Sequence, residues 1–424
     1  MVQQQIGASI FDFSLRAAKA ALVVLGILVT ILTVVATAHA QTLSVLHTFT
    51  NYVQPDAGVT MDAAGNLYGT TRYGGNGGGL VYKLAHKGSG WVLSPLYSFQ
   101  GHNDGGFPMG GVTIGRDGNL YGTTFIGGQF GAGTVYKLSP PVTFCRSVLC
   151  PWTETLLYQF TGGADGGEPQ AGVIFDSAGN LYGTTGVGGT GNYGVVFKLT
   201  PSSSGWTESV LYRFAGPPDG YDPAGALTFG DNGTLYGTTD LGGGVTCECG
   251  TVYQLTPSGS GWTEQVIYRF QGLNDGGFPS GSIVLDPEGN LYGATSVYGS
   301  DDGGTIFELM PSNGHWTFSV LYSPTRGGSG FQPVGTLARS SSGTLYGTFF
   351  YAGIFQSCGG EGCGSVFQLS PSPGGWVYTS LYEFTGGEDG GEPNGGLVLD
   401  SAGNLYGTTG GEVLGYGSAF ELAP

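Results

Sequence analysis

The tripeptide Leu-Tyr-Gly occurs seven times in the chain, with its tyrosines at Tyr68, Tyr121, Tyr182, Tyr236, Tyr292, Tyr346 and Tyr406. The spacings of 53, 61, 54, 56, 54 and 60 residues mark a repeat whose single unit is too small to bury its own apolar face, so the units must stack or close on one another. Inside each unit four short apolar segments alternate with Gly, Asp, Asn and Pro, the pattern of β-strands joined by turns. In the third unit they are A, Gly172 to Asp176; B, Asn180 to Thr185; C, Val195 to Leu199; and D, Trp206 to Phe214. Strand A is nearly all apolar and is preceded by small residues, as in Gly110-Gly111 and Gly395-Gly396, which suits the innermost strand around an axis.

Four antiparallel strands per unit match a propeller blade. The ends of the repeat decide between a ring and an open solenoid. The first repeat segment, Thr42 to Phe49, has the character of strand D, and the last, Phe420-Glu421-Leu422, that of strand C. The strand missing from one end is therefore present at the other, which a ring uses and a solenoid does not. The expected fold is all-β: residues 41–424 form a seven-bladed β-propeller of four-stranded antiparallel blades, closed by the N-terminal strand joining the C-terminal blade.

Residues 1–40 read as an export signal. Arg16 and Lys19 precede an apolar run from Ala20 to Ala36, and Ala38-His39-Ala40 supplies a small-x-small cleavage pattern. An uncleaved membrane anchor is the alternative, since the run approaches the length of a spanning helix. With cleavage the chain is expected to be secreted or extracellular, or periplasmic, and to be held to no membrane. Thirteen Lys and Arg against 30 Asp and Glu give a net charge of −17, which disfavours nucleic acid because phosphate contacts need clustered cations. A monomer is expected, with an extracellular glycan or protein as partner.

The run from Asp-Gly-Gly-Glu-Pro (389–393) through Asp-x-x-Gly-Asn (400–404) to Leu-Tyr-Gly-Thr-Thr (405–409), repeated with a Gly-rich loop and a Val-Phe-Lys-Leu strand, resembles the GloVer-type (Gloeo_Verruco) tandem repeat of bacterial extracellular proteins. The resemblance covers residues 41–424. It implies export and a repeat scaffold and carries no reaction with it.

Antiparallel order puts the long B–C and D–A loops on one face and the A–B and C–D turns on the other. Six D–A loops keep a proline nine residues after the end of strand D: Pro108, Pro169, Pro223, Pro279, Pro333 and Pro393. Five carry Asp-Gly, at Asp104, Asp165, Asp219, Asp275 and Asp389, whereas Ser329 takes that place in one and the loop from Thr50 is shorter. Each Asp can serve its own loop as an Asx-turn. Alternatively the face gathers these carboxylates with Glu168, Asp222 and Glu392, and with Asp301-Asp302, to bind Ca²⁺, a cationic ligand or a sugar. The Asp-x-x-Gly turns at Asp62, Asp176, Asp286 and Asp400 lie on the opposite face and are tight-turn chemistry.

Six cysteines form local pairs: Cys145 with Cys150, Cys247 with Cys249, and Cys358 with Cys363. In an exported chain they read as disulfides stapling loops. The one-residue gap between Cys247 and Cys249 leaves a reduced pair as an alternative, and a metal site from Cys247, Cys249, Cys358 and Cys363 is a second. The glycines 127–133 lack the following helix that a phosphate cradle needs. All six Trp open strand D, and they read as packing residues. The mature histidines, His47, His86, His102 and His315, fall at different repeat phases, and no nucleophile or HExxH signature is present. No catalytic residue is therefore assigned. The expected function is a non-enzymatic binding or scaffold module, with Ca²⁺ as the one cofactor considered. The alternative is a carbohydrate-active hydrolase or lyase, which would show two carboxylates of raised pKa at the channel mouth.

Overall fold

The computed structural model describes residues 41–50, 53–88, 90–141, 152–244, 247–325, 330–353, 358, 360–411 and 417–423. The expected signal segment, the Cys145 and Cys150 pair and Ser329 lie outside them. Residues 43–423 form one compact unit. It consists of seven four-stranded antiparallel sheets, one for each Leu-Tyr-Gly, and we number these blades 1 to 7 from Tyr68 to Tyr406. Blade 3 holds Ile174–Phe175, Leu181–Thr185, Val195–Ser202 and Gly205–Arg213 as strands A to D. Strand A is shorter than its apolar run suggests, because only its last residues pair with strand B. Blade 7 is closed as expected: Thr42–Thr48 lies beside Ser418–Ala423, which pairs in turn with Leu405–Thr409 and Val398–Leu399.

The repeated residues fasten each blade to its neighbour. The phenylalanine that ends strand D packs edge-on against the strand C aromatic of the next blade, as with Phe99 on Tyr136, Phe160 on Phe197 and Phe270 on Phe307, at centroid distances of 5.1, 5.1 and 5.3 Å. These rings are fully buried, and such pairs add about 1 kcal/mol each beyond the burial of their area. The strand D tryptophan reaches the other way, to the Leu-Tyr-Gly tyrosine of the preceding blade: Trp262 meets Tyr182 at 6.3 Å and Trp376 meets Tyr292 at 6.1 Å. In five blades that tyrosine is in turn pinned by its own A–B turn, where its hydroxyl donates to the turn aspartate, as Tyr182 does to Asp176 at 3.0 Å. Burial alone would raise the Asp176 carboxyl, but the donors on Asn180, Tyr182 and Ala178 hold it below its ordinary value.

The two threonines of Leu-Tyr-Gly-Thr-Thr have separate tasks. The first donates to an axial carbonyl of the next blade, as Thr123 does to Ala171 at 2.7 Å and Thr408 to Ala57 at 2.9 Å. The second closes the B–C loop, as Thr185 does on Val187 at 2.9 Å. Blades 5 and 6 break the first rule, and blade 6 also breaks the second. Ala294 replaces the first threonine in blade 5, and the first threonine of blade 6, Thr348, bonds Val334 in its own blade. There strand A runs for nine residues, Gly277–Leu285 and Phe331–Arg339. Between these blades Pro324 stands where the other D strands end in Phe, and Phe349, in place of the second threonine, fills the gap by stacking on Phe367 at 4.5 Å.

The D–A proline has a steric reason to recur. It lies on the glycine before strand C of the preceding blade, so closely that a methyl group on Gly133 would stand 2.7 Å from Cδ of Pro169. Pro55, in the shorter seventh loop, lies on Gly417 in the same way. At the axis the blades meet through backbone, and a methyl on Gly225 would stand 2.5 Å from the Gly281 oxygen. Small residues before strand A are therefore a condition of closing the ring.

Candidate functional site

The axial channel has a volume of about 550 Å³ and is lined by the start of strand A from every blade. The residue after each D–A proline forms one ring of its wall: Asp56, Met109, Gln170, Ala224, Ser280, Val334 and Asn394. Inside that ring the wall is glycine and alanine, followed by strand A residues such as Val59, Thr60, Val112, Thr113, Ile174 and Leu397. The position is structurally equivalent in all seven blades, yet four of the seven side chains are polar and chemically different. The scaffold therefore does not dictate them.

Just outside this ring, the residue before the proline takes a left-handed backbone in six loops: Phe107, Glu168, Asp222, Phe278, Gln332 and Glu392, with φ between 54 and 58°. For residues with a side chain this costs about 1–3 kcal/mol each. It is held because the N–H of each donates to the B–C loop of the preceding blade, Glu168 to Ala132 at 2.8 Å and Glu392 to Cys363 at 2.7 Å. The carbonyl of each acid accepts from its own blade, as Glu168 does from Gly186 and Asp222 from Asp240. This stitch sets three of the acids expected on the long-loop face, Glu168, Asp222 and Glu392, at equivalent stations around the channel.

The five Asp-Gly carboxylates sit elsewhere and do not converge. Each accepts from its own loop and from the tyrosine two residues before the end of strand D. Asp165 accepts from Thr161 N at 3.0 Å and Tyr158 at 2.9 Å, and Asp389 from Thr385 N at 2.8 Å and Tyr382 at 2.9 Å. Asp104, Asp219 and Asp275 repeat this with Tyr97, Tyr212 and Tyr268. Asp301 and Asp302 form an exposed turn in the B–C loop of blade 5. Among the described residues no three His, Cys, Asp or Glu side chains come together as a metal site. The described cysteines are joined as disulfides, Cys247 to Cys249 and Cys358 to Cys363, so they are not metal ligands. Strand C follows the glycines 127–133 directly.

One acid at the mouth was not anticipated. Asp240 follows Leu-Tyr-Gly-Thr-Thr in blade 4, where the other blades carry Arg72, Phe125, Gly186, Ser296, Phe350 and Gly410, and it lines the channel. Burial, followed by the nearby Asp222 carboxylate, pushes Asp240 up to about 6. Burial also raises Asp222. The amide of Gln170, donating to its Oδ1 at 2.9 Å, opposes this, and Glu168 adds to it. A lone acid at a phase where no other blade has one was the available signal. It was obscured by the many acids of the neighbouring loops. The loops of the same face, outside the channel lining, carry ring pairs: Tyr193 beside Tyr221 at 5.5 Å, Tyr73 beside Phe107 at 5.2 Å, and Phe278 stacked on Tyr298 at 6.0 Å.

Among solved structures, a fungal alcohol oxidase of the AA5 family, in complex with copper, superposes with a TM-score of 0.52 at 14% identity, covering 90% of this chain and 76% of that one. A protein from Bacteroides fragilis proposed to be a 6-phosphogluconolactonase gives 0.49 at 14% identity, covering 83% and 88%. A protein from Lactobacillus plantarum gives 0.49 at 14%, covering 81% and 88%. Likeness at this identity is likeness of fold. No curated protein matches the chain. No helix among the described residues is long and apolar enough to cross a membrane. The family model of the Gloeobacter/Verrucomicrobia repeat matches residues 30–247, 148–360 and 244–424, and the chain belongs to that family.

Proposed function

We propose that the protein is an exported, non-enzymatic binding propeller whose ligand is a polyhydroxylated molecule of the carbohydrate class, taken at the channel mouth on the long-loop face. The observation that carries this is the chemistry of the mouth. Asp240, Asp222, Gln170, Ser280 and Asn394, all at positions where the repeat imposes no residue type, offer mixed donors and acceptors, and the loops of the same face carry aromatic pairs. Sugar hydroxyls both donate and accept, and sugar C–H faces pack on rings, so such a mixture suits them better than a bare cation. The Asp-Gly carboxylates, already shared among loop amides and tyrosines, support this ligand class over Ca²⁺. The disulfides on this face accord with export.

Thermal melting and calorimetry of residues 41–424 against soluble glycans test the reading, since a ligand of the folded state raises the midpoint. At least one glycan is expected to bind, with Asp240→Asn or Gln170→Ala weakening it about tenfold, equivalent to about 1.4 kcal/mol. A flat panel would sink the proposal.

A second reading has its own observation: Asp222 and Asp240 are two carboxylates of raised pKa at the mouth, the combination that acid–base cleavage of a glycoside uses. Release of reducing ends from a bound glycan, lost in Asp240→Asn, would select this reading.

A further inference from the structure

On the face opposite the channel mouth, a hollow of about 330 Å³ opens between blades 4 and 5. Its walls are Gln254 and Gln265, from strands C and D of blade 4, and the strand C to strand D turn of blade 5, from Pro311 to Trp316. In a sevenfold repeat, residues that recur at one phase are explained by the scaffold, and departures from that phase are not. Two departures, Gln265 and His315, converge here. Gln254 lies directly across from Gln265, whereas the residue across from the same strand C position is Ser94, Thr155, Ser209, Ser319 or Thr379 in the other registered blades. Only blade 4 sets two amides opposite each other. His315 closes its turn against Ser312, where blades 1, 3, 4 and 6 use Gly90, Gly205, Gly261 and Gly375.

We infer that this hollow is a second binding site, for a neutral sugar ring, separate from the channel mouth. No charged carboxylate, ammonium or guanidinium group lines it, so an ionic ligand would gain no partner there. The two glutamine amides and Asn313 each carry a donor and an acceptor, which is what vicinal hydroxyls require. Trp316 and Pro311 give the apolar surface against which the C–H face of a pyranose packs. The volume falls at the lower end of small-molecule sites, about 300–1,000 Å³, enough for a chain terminus or one or two rings. His315 adds a wall to the hollow that a glycine at that position would leave open.

The test reverts the departures to what other blades carry, which leaves the scaffold with residues it already accommodates. Calorimetric titration of residues 41–424 with cellohexaose, xylohexaose and maltohexaose is expected to show binding of at least one, with a change in tryptophan fluorescence. Gln265→Ser combined with His315→Gly should weaken that component at least tenfold without altering the melting temperature, while Asp240→Asn leaves it intact. Binding indifferent to the double reversion, or no binding of any of the three oligosaccharides, would overturn the second site. Loss on Asp240→Asn alone would place all binding at the mouth and would equally overturn it.

Discussion

Between blades 2 and 3, the strand D carboxylate Glu208 faces Asp165 and Tyr158. At the equivalent place between blades 4 and 5 stands Phe318, stacked on Tyr268 with centroids 4.0 Å apart and an interplanar angle of 8°. The wedges on either side repeat the contrast. Glu154 faces Asp104 and Glu264 faces Asp219, whereas between blades 5 and 6 Tyr378 stacks on Tyr322 at 4.5 Å. Between blades 6 and 7 the place is taken by Leu43, and between blades 7 and 1 by Leu93. One fold therefore closes over either chemistry, so the three acids are not needed to build it. They work against it at neutral pH: burial, then the neighbouring aspartate, pushes each of these glutamates up to about 7, and Oε1 of Glu154 and Glu208 is buried without a hydrogen-bond partner among the described residues.

Crossing the two chemistries gives the largest effect. Phe318→Glu should destabilise the protein by about 3 kcal/mol at neutral pH, since it removes a stacked ring and sets a carboxylate beside Asp275. Urea unfolding at pH 7.5 would measure this, and a loss under 1 kcal/mol would show that the stack is incidental. The reverse change is smaller. A carboxyl whose folded pKa is raised from 4.5 to about 7 binds more protons folded than unfolded, so the stability it contributes is complete below pH 4.5 and is lost as pH rises through 7. The wild type should therefore melt higher at pH 5 than at pH 8. Replacing Glu154, Glu208 and Glu264 together by Gln should flatten that slope and raise stability at pH 8 by about 1 kcal/mol per site once solvent screening is allowed for. An unchanged slope would mean that the pairs are hydrated.

The smallest effect concerns strand C. Tyr82, Tyr136 and Tyr253 are fully buried with hydroxyls that lack a partner among the described residues, where the other blades carry Phe197, Phe307, Phe367 and Phe420. Each Tyr→Phe change should raise stability by up to about 1 kcal/mol, because an unmade hydrogen bond costs more than an absent hydroxyl. A loss on denaturant unfolding would reveal a bound water beside the ring.

Much of this was legible in the sequence. Leu-Tyr-Gly, the D–A proline and the split of one blade between the two chain ends are local rules repeated sevenfold, and their physics is complete within two adjacent units. The wedge acids were not legible. Glu208 lies in the run Trp-Thr-Glu-Ser, which reads as a strand alternating between solvent and interior, and only the neighbouring blade shows that it faces a second acid. Phe349 was hidden for a similar reason, because its cause, Pro324, belongs to the preceding unit. Asp240 stands at a position where the repeat sets no residue type, and its raised pKa comes from burial and then from Asp222, both of which only the fold supplies. Repetition makes a scaffold readable and hides the individual exceptions.

Closure by the first strand sets the order of assembly. Thr42–Thr48 leaves the synthesis machinery before any blade exists and finds its partner, Ser418–Ala423, only when almost the whole chain has been made. Until then blade 7 is an open edge, and the ring is held by contacts between successive blades alone. The last step, an intramolecular docking of the two ends over the longest loop the chain can form, carries its full closure entropy and is expected to limit the rate of folding.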